Sequence, residues 1–138
     1  MNVIATQVQY LNPEKLHANP GYTQMVTVVG PVRSIYIGAQ CAVNQEGEIV
    51  GKGDVGAQTE QVLRNLQTCL DAVGAGPENL IEWTIYLVEG QPMQPAFAAG
   101  MRWWGAKPNP PINNVLYVSA LANPDFLISI EAVAVLPA

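Results

Sequence analysis

Charge is what this chain has least of: only 12% of its residues are charged, against roughly a quarter in a typical globular domain. So little charge leaves much of the surface either neutral or covered, and an oligomer is expected. The six basic residues, Lys15, Arg33, Lys52, Arg64, Arg102 and Lys107, are scattered. Without a basic stripe to release counterions from phosphates, a nucleic-acid partner is not expected. Cysteine is also scarce. Cys41 and Cys69 have neither CxxC nor metal-ligand spacing, so they read as buried thiols of a reducing cytosol, with a disulfide as the alternative and no metal site. The single histidine, His17, lies in a polar segment with no evident Cys, Ser or Asp companion for a triad, and reads as a surface residue. No apolar run approaches the roughly 20 residues of a membrane span. The first residues, Met1 to Thr6, lack the basic start and apolar core of a leader. A cytoplasmic protein without cofactor or membrane partner is the expectation.

What the chain does have is apolar character, 49% of 138 residues, enough for one hydrophobic core and one domain over residues 1–138. Its 11 acidic residues against 6 basic give a net charge of −5.

The opening residues, polar and punctuated by Pro13 and Pro20, read as an irregular or edge segment. Tyr22 to Val29 and Ser34 to Val43 are rich in β-branched and aromatic types, and Gly30-Pro31 between them predicts a hairpin. Asp54 can cap a helix reaching Val73, because its carboxylate can accept from free first-turn amides. Val62, Leu66, Leu70 and Val73 share one face of that helix, and Gly74 suits its left-handed end. Leu80 to Val88 alternates as a strand does, with Ile81, Trp83, Ile85 and Leu87 opposed to Glu82, Thr84 and Tyr86. Pro92 suits the first turn of a second helix to about Trp104, on which Met93, Phe97, Met101 and Trp104 share a face. Trp103 and Trp104 are expected to pack that helix end on the sheet, or to wall a cleft by stacking. Asn114 to Ser119 and Phe126 to Leu136 are the closing strands. The order β-β-α-β-α-β-β predicts an α+β domain with two helices on one face of a mixed sheet. The last strand is apolar on both sides, so a partner subunit is expected over the other face.

Several local motifs fit one family. Tyr22-Thr23-Gln24, Gly38-Ala39-Gln40 at a strand end, Gln58-Thr59 followed by Asn65-Leu66, Thr84-Ile85-Tyr86-Leu87, Pro110-Pro111-Ile112-Asn113 and Ile130-Glu131-Ala132 occur in the order and spacing of the Rid (YjgF/YER057c/UK114) family. The resemblance covers about residues 20 to 136. It implies chorismate-mutase-like subunits forming a homotrimer, with ligand clefts at the subunit interfaces and hydrolysis of reactive enamines and imines.

The same resemblance marks two departures. The family's carboxylate-clamping arginine falls at Asn113, which offers only neutral hydrogen bonds. Its water-positioning glutamate falls at Ser129. Glu131, two residues on and about 6 to 7 Å away along the strand, could serve as a catalytic base or as a structural carboxylate. Val115 replaces a small polar or thiol side chain, and a pocket asparagine aligns near Phe97. Tyr22, Gly38, Ala39, Phe97, Asn113, Val115 and Ser129 are the expected ligand contacts, with the amide at Ala39 able to face a developing negative oxygen. For Gly38 and Ala39 the alternative is tight packing of strand on helix. For Asn113 and Ser129 it is a hydrogen bond between subunits. A cleft that has lost its fixed charge and gained apolar volume suits a neutral or aromatic small molecule. A trimeric binding protein is therefore expected, and a hydrolase of C=N or enamine bonds with a rebuilt site is the alternative. The family's endoribonuclease label is the weakest reading for so acidic a chain.

Overall fold

A computed structural model describes residues 4–138 and shows an α+β domain in which two helices pack on one face of a mixed sheet. Its strands are β1 (Gln7–Leu11), β2 (Met25–Val29), β3 (Val32–Gln40), β4 (Leu80–Val88), β5 (Ile112–Val118) and β6 (Ile128–Pro137). The helices are α1 (Val55–Ala72) and α2 (Met93–Trp104), with one 3-10 turn at Pro77–Asn79. The main sheet has the order β3-β6-β4-β5; β4 and β5 run parallel, while β6 is antiparallel to both β3 and β4.

The expected pairing of β2 with β3 is corrected. β2 pairs instead with β1, from Gln7 opposite Val29 to Leu11 opposite Met25, as a separate two-stranded sheet. The reason lies at the turn. Gly30 takes φ +91°, and a Cβ there would stand 2.8 Å from the Ala5 carbonyl oxygen and Thr6 Cα. The chain just before β1 therefore lies directly against this turn, and the Thr6 hydroxyl donates to the Pro31 carbonyl. β3 turns away to β6, and the residue just after β6 also reaches this point, Ala138 N–H donating to Pro31 O at 3.2 Å. The irregular opening segment thus contains a strand, fixed to the core by the Tyr10 hydroxyl, which donates to the Leu80 carbonyl at 2.7 Å. Burial raises the Tyr10 pKa.

The first helix forms where its sequence signals place it. Asp54 accepts from the Ala57 amide at 3.1 Å, and Gly74 adopts φ +71° just beyond the end. Its buried face carries Val55, Val62, Leu63, Leu66 and Leu70 into the core. There they meet Leu80 and Leu87 of β4 and Ile128, Ile130, Ala132 and Ala134 of β6. Burying each large aliphatic side chain contributes about 1.5–3 kcal/mol. Asn65 ties the helix to the strip after β3, its amide donating to Cys41 O at 3.0 Å and Val43 O at 2.9 Å. Both cysteines are free thiols and half-buried, and burial raises the Cys41 pKa. The second helix begins at Met93 with Pro92 as its flanking residue. Its last turn is pinned by Trp103, which stacks on Trp83 with ring centroids 5.9 Å apart. No helix among the described residues is long and apolar enough to cross a membrane.

Candidate functional site

The register of the sheet sorts the expected ligand contacts into two groups. Trp83 lies beside Asn113 on one side and Ala132 on the other; Ile85 lies beside Val115 and Ile130. Neighbours in register share a face, so Asn113 and Val115 point with Trp83, Ile85, Ile130 and Ala132 toward the helices. Thr84 lies beside Glu131 and Tyr86 beside Ser129, which puts Ser129 and Glu131 on the far face. Within one chain the sheet separates Asn113 and Val115 from Ser129 and Glu131.

On the helix side, α2 does not close fully over β4 and β5, and a cavity of about 460 Å³ remains beneath it. Asn113, Val115 and Phe97 all line it. Trp83, Ile85, Leu63 and Ile130 make its apolar interior, while Met93, Phe97 and Met101 project from α2 at its more open side. Phe97 is 54% exposed and Val115 40%. The incomplete cover follows from position, since β5 is an edge strand and only one flank of it is paired. Trp104 is buried at the end of α2, where its indole Nε1 donates to Lys107 O at 2.9 Å and Lys107 Nζ donates to Trp104 O at 3.2 Å. The side-chain oxygen of Asn113 is buried and accepts no hydrogen bond. A buried acceptor left bare costs about 1–3 kcal/mol.

The far face is differently built. Glu131 Oε1 accepts from the Tyr86 hydroxyl at 2.8 Å, and this bond, with burial and the carboxylate's charge, raises the Tyr86 pKa. Glu131, Glu82, Thr84, Tyr36 and Gly38 line a hollow of about 390 Å³. Ser129 is buried beside it at 3% exposure. Gly38 and Ala39 lie in a break of register between Ile37 and Gln40, both exposed. A Cβ built on Gly38 would meet nothing within 4 Å, so packing of strand on helix does not account for that glycine.

Tyr22 belongs to neither group. It stands in the loop between β1 and β2, half-buried, with its hydroxyl 2.7 Å from His17 Nε2. His17 therefore has a companion after all, a phenol rather than a Cys, Ser or Asp. The residue that places this loop is Thr23, buried, whose hydroxyl donates to Pro110 O at 2.5 Å and whose amide donates to Pro111 O at 3.4 Å. Through that tie Asn19, Pro20 and Gly21 become one wall of the cavity beneath α2.

Sequence reasoning missed Thr23, Trp83 and Lys107 as parts of this site. Lys107 carried a faint signal, a cation just past a helix C-terminus where carbonyls are free to accept.

Comparison with known proteins gives a consistent result. The Endoribonuclease L-PSP family pattern matches residues 13–136. A RutC family protein of Synechocystis is 32% identical over 120 residues, covering 84% of this chain and 86% of that protein. A crystal structure of a conserved Rid family protein of unknown function from Yersinia pestis superimposes with a TM-score of 0.82 at 36% identity, covering 94% of this chain and 98% of the other. RidA of a Psychrobacter species shares the fold at 22% identity, with a TM-score of 0.67 over 93% of this chain and 99% of its own.

Proposed function

This chain belongs to the Rid family, matched as Endoribonuclease L-PSP, and from that premise we propose that it is a homotrimeric small-molecule-binding protein. Its ligand is a neutral or aromatic molecule held beneath α2. The observation that carries the reading is the bare, buried oxygen of Asn113 in a cavity walled by aromatic and aliphatic side chains. A donor on a ligand would satisfy that oxygen, and the volume falls within the roughly 300–1,000 Å³ of small-molecule sites. Phe97 and Val115 on the open side suit a site that a neighbouring subunit completes. Because Ser129, Glu131, Gly38 and Ala39 lie across the sheet from Asn113, they and Asn113 can share one cleft only if two subunits supply them.

Two measurements test this. Light scattering at micromolar concentration should give the mass of three chains, since the far face leaves Tyr36 at 79% and Leu116 at 45% exposure in a single chain; a monomer would defeat the trimer. Titration with indole, which has an N–H donor, and with 1-methylindole, which has none, should show indole binding about fivefold or more tightly, the worth of one hydrogen bond to a buried acceptor. Asn113→Leu should erase the difference. Failure of indole to saturate at millimolar concentration would remove the cavity as a ligand site.

A second reading, a hydrolase of C=N or enamine bonds, rests on the far-face hollow, where Glu131 stands beside the Tyr86 hydroxyl and the exposed backbone at Gly38 and Ala39. Glu131 would be its base and Tyr22 of a second subunit a proton donor. The ribonuclease reading gains no support from six scattered cations.

A further inference from the structure

The cavity beneath α2 is lined by one charged residue, Lys107, and by no carboxylate. We propose that Lys107 is its specificity-determining residue, selecting aromatic acids that also carry an N–H or O–H donor. The inference rests on the cavity being a ligand site, and it narrows a neutral-or-aromatic ligand to the aromatic, anionic kind.

The polar groups on the wall divide into those already used and those still free. Asn19 Oδ1 accepts from the Gly21 amide at 2.7 Å, and Thr59 Oγ1 donates to Val55 O at 2.7 Å. Trp104 Nε1 is taken by Lys107 O. Among the groups left to address a ligand are the bare Asn113 oxygen and the Lys107 ammonium, the one charge on the wall. An ammonium has three donors, and the Trp104 carbonyl uses one. The ion pairs among the described residues are Lys52 with Asp125 and Arg102 with Glu60, so none of the described acids pairs with Lys107.

Position makes this cation more than a surface lysine. The reciprocal bonds between Trp104 and Lys107 lock its backbone to the end of α2, and Trp103, stacked on Trp83, holds that end on the sheet. Lys107 itself is exposed, so the acid of a ligand would stay at the mouth in water while its ring enters among Trp83, Ile85 and Leu63. A ligand acid at the mouth would need no costly desolvation, unlike a charge carried inside. The chain's net charge of −5 gives anions no general attraction to the rest of the surface. An anion preference would therefore report on this cation.

Indole-3-acetate and indole-3-acetamide are matched probes with the same ring N–H. By calorimetric titration the acid should bind the wild-type chain about fivefold more tightly than the amide, the upper range for an exposed ion pair. Raising salt from low to about 0.5 M should remove that preference and leave the amide unchanged. Lys107→Met should bind both equally, with the amide within about twofold of its wild-type affinity, and Lys107→Arg should keep the preference. Equal binding of acid and amide by the wild type, or an equal loss of both in Lys107→Met, overturns the role of Lys107 alone. If indole itself fails to bind, the cavity reading falls and this inference falls with it.

Discussion

Replacing Gln58 with leucine should lower the unfolding free energy by about 3 kcal/mol and the melting temperature by roughly 10 °C. The two side chains are similar in volume, so the loss would come from hydrogen bonds rather than from a hole. Gln58 is fully buried on α1. Its Nε2 donates to Asp125 O at 2.8 Å and to Gly51 O at 3.2 Å, and its Oε1 accepts from Leu127 N–H at 2.9 Å. One side chain thus satisfies the loop before the helix and the loop before β6. Leucine would orphan Asp125 O and Leu127 N–H at once and leave Gly51 O with the Asp54 amide alone. Thermal unfolding monitored by circular dichroism reads the effect directly, and a shift under 3 °C would mean that water replaces these bonds at little cost.

Hydrolysis of 2-aminoacrylate-type imines should run at least about a hundredfold below that of family members with arginine and glutamate at the positions of Asn113 and Ser129, because each lost group removes oriented electrostatic stabilisation. The geometry adds a condition to any rescue. Asn113 faces the helices and Ser129 the far side of the same sheet, so an arginine and a glutamate placed there would cooperate only across a subunit boundary. Activity should then appear in the double variant Asn113→Arg, Ser129→Glu. It should also appear, more weakly, when the two single variants are refolded together into mixed trimers. Family-like rates in the unaltered chain would show that the family's arginine and glutamate do not align with Asn113 and Ser129. A stable double variant without turnover would show that the cleft has been rebuilt beyond these two positions.

The parts of the fold that could be read from the sequence are those whose signals are local. Asp54, the apolar spacing of Val62, Leu66 and Leu70, and Gly74 specify α1 with no help from the rest of the chain. Gly30-Pro31 predicts a hairpin that does not form, because two apolar runs around such a turn favour each other only in the absence of a third strand. That third strand, Gln7–Leu11, alternates half-buried Val8 and Tyr10 with exposed glutamines, a period-two pattern that the nearby prolines obscured. The site divides in the same way. Strand parity correctly groups Asn113 with Val115 and Ser129 with Glu131. Which group faces the helices depends on the register of β4 against β5 and β6, a relation between segments that no single segment encodes. The cavity itself arises from how far α2 stands off an edge strand, and the cation at its mouth from a loop that reads as a mere linker.

The place of β6 in the sheet governs how the chain can be assembled. β6 is the last strand in sequence but pairs on both flanks, with β3 and with β4. β3 and β4 never touch as strands; each is joined to the other only through residues 128–137. During synthesis, everything up to residue 127 can therefore form helices and the parallel β4-β5 pair, but not a four-stranded sheet. Two unpaired edges wait for the final segment, and unpaired edges recruit other chains. Folding is thus closed from the end backwards, with a high contact order and a correspondingly slow final step. A nascent or nicked chain lacking this one strand would be exposed to aggregation at the very edges that β6 covers.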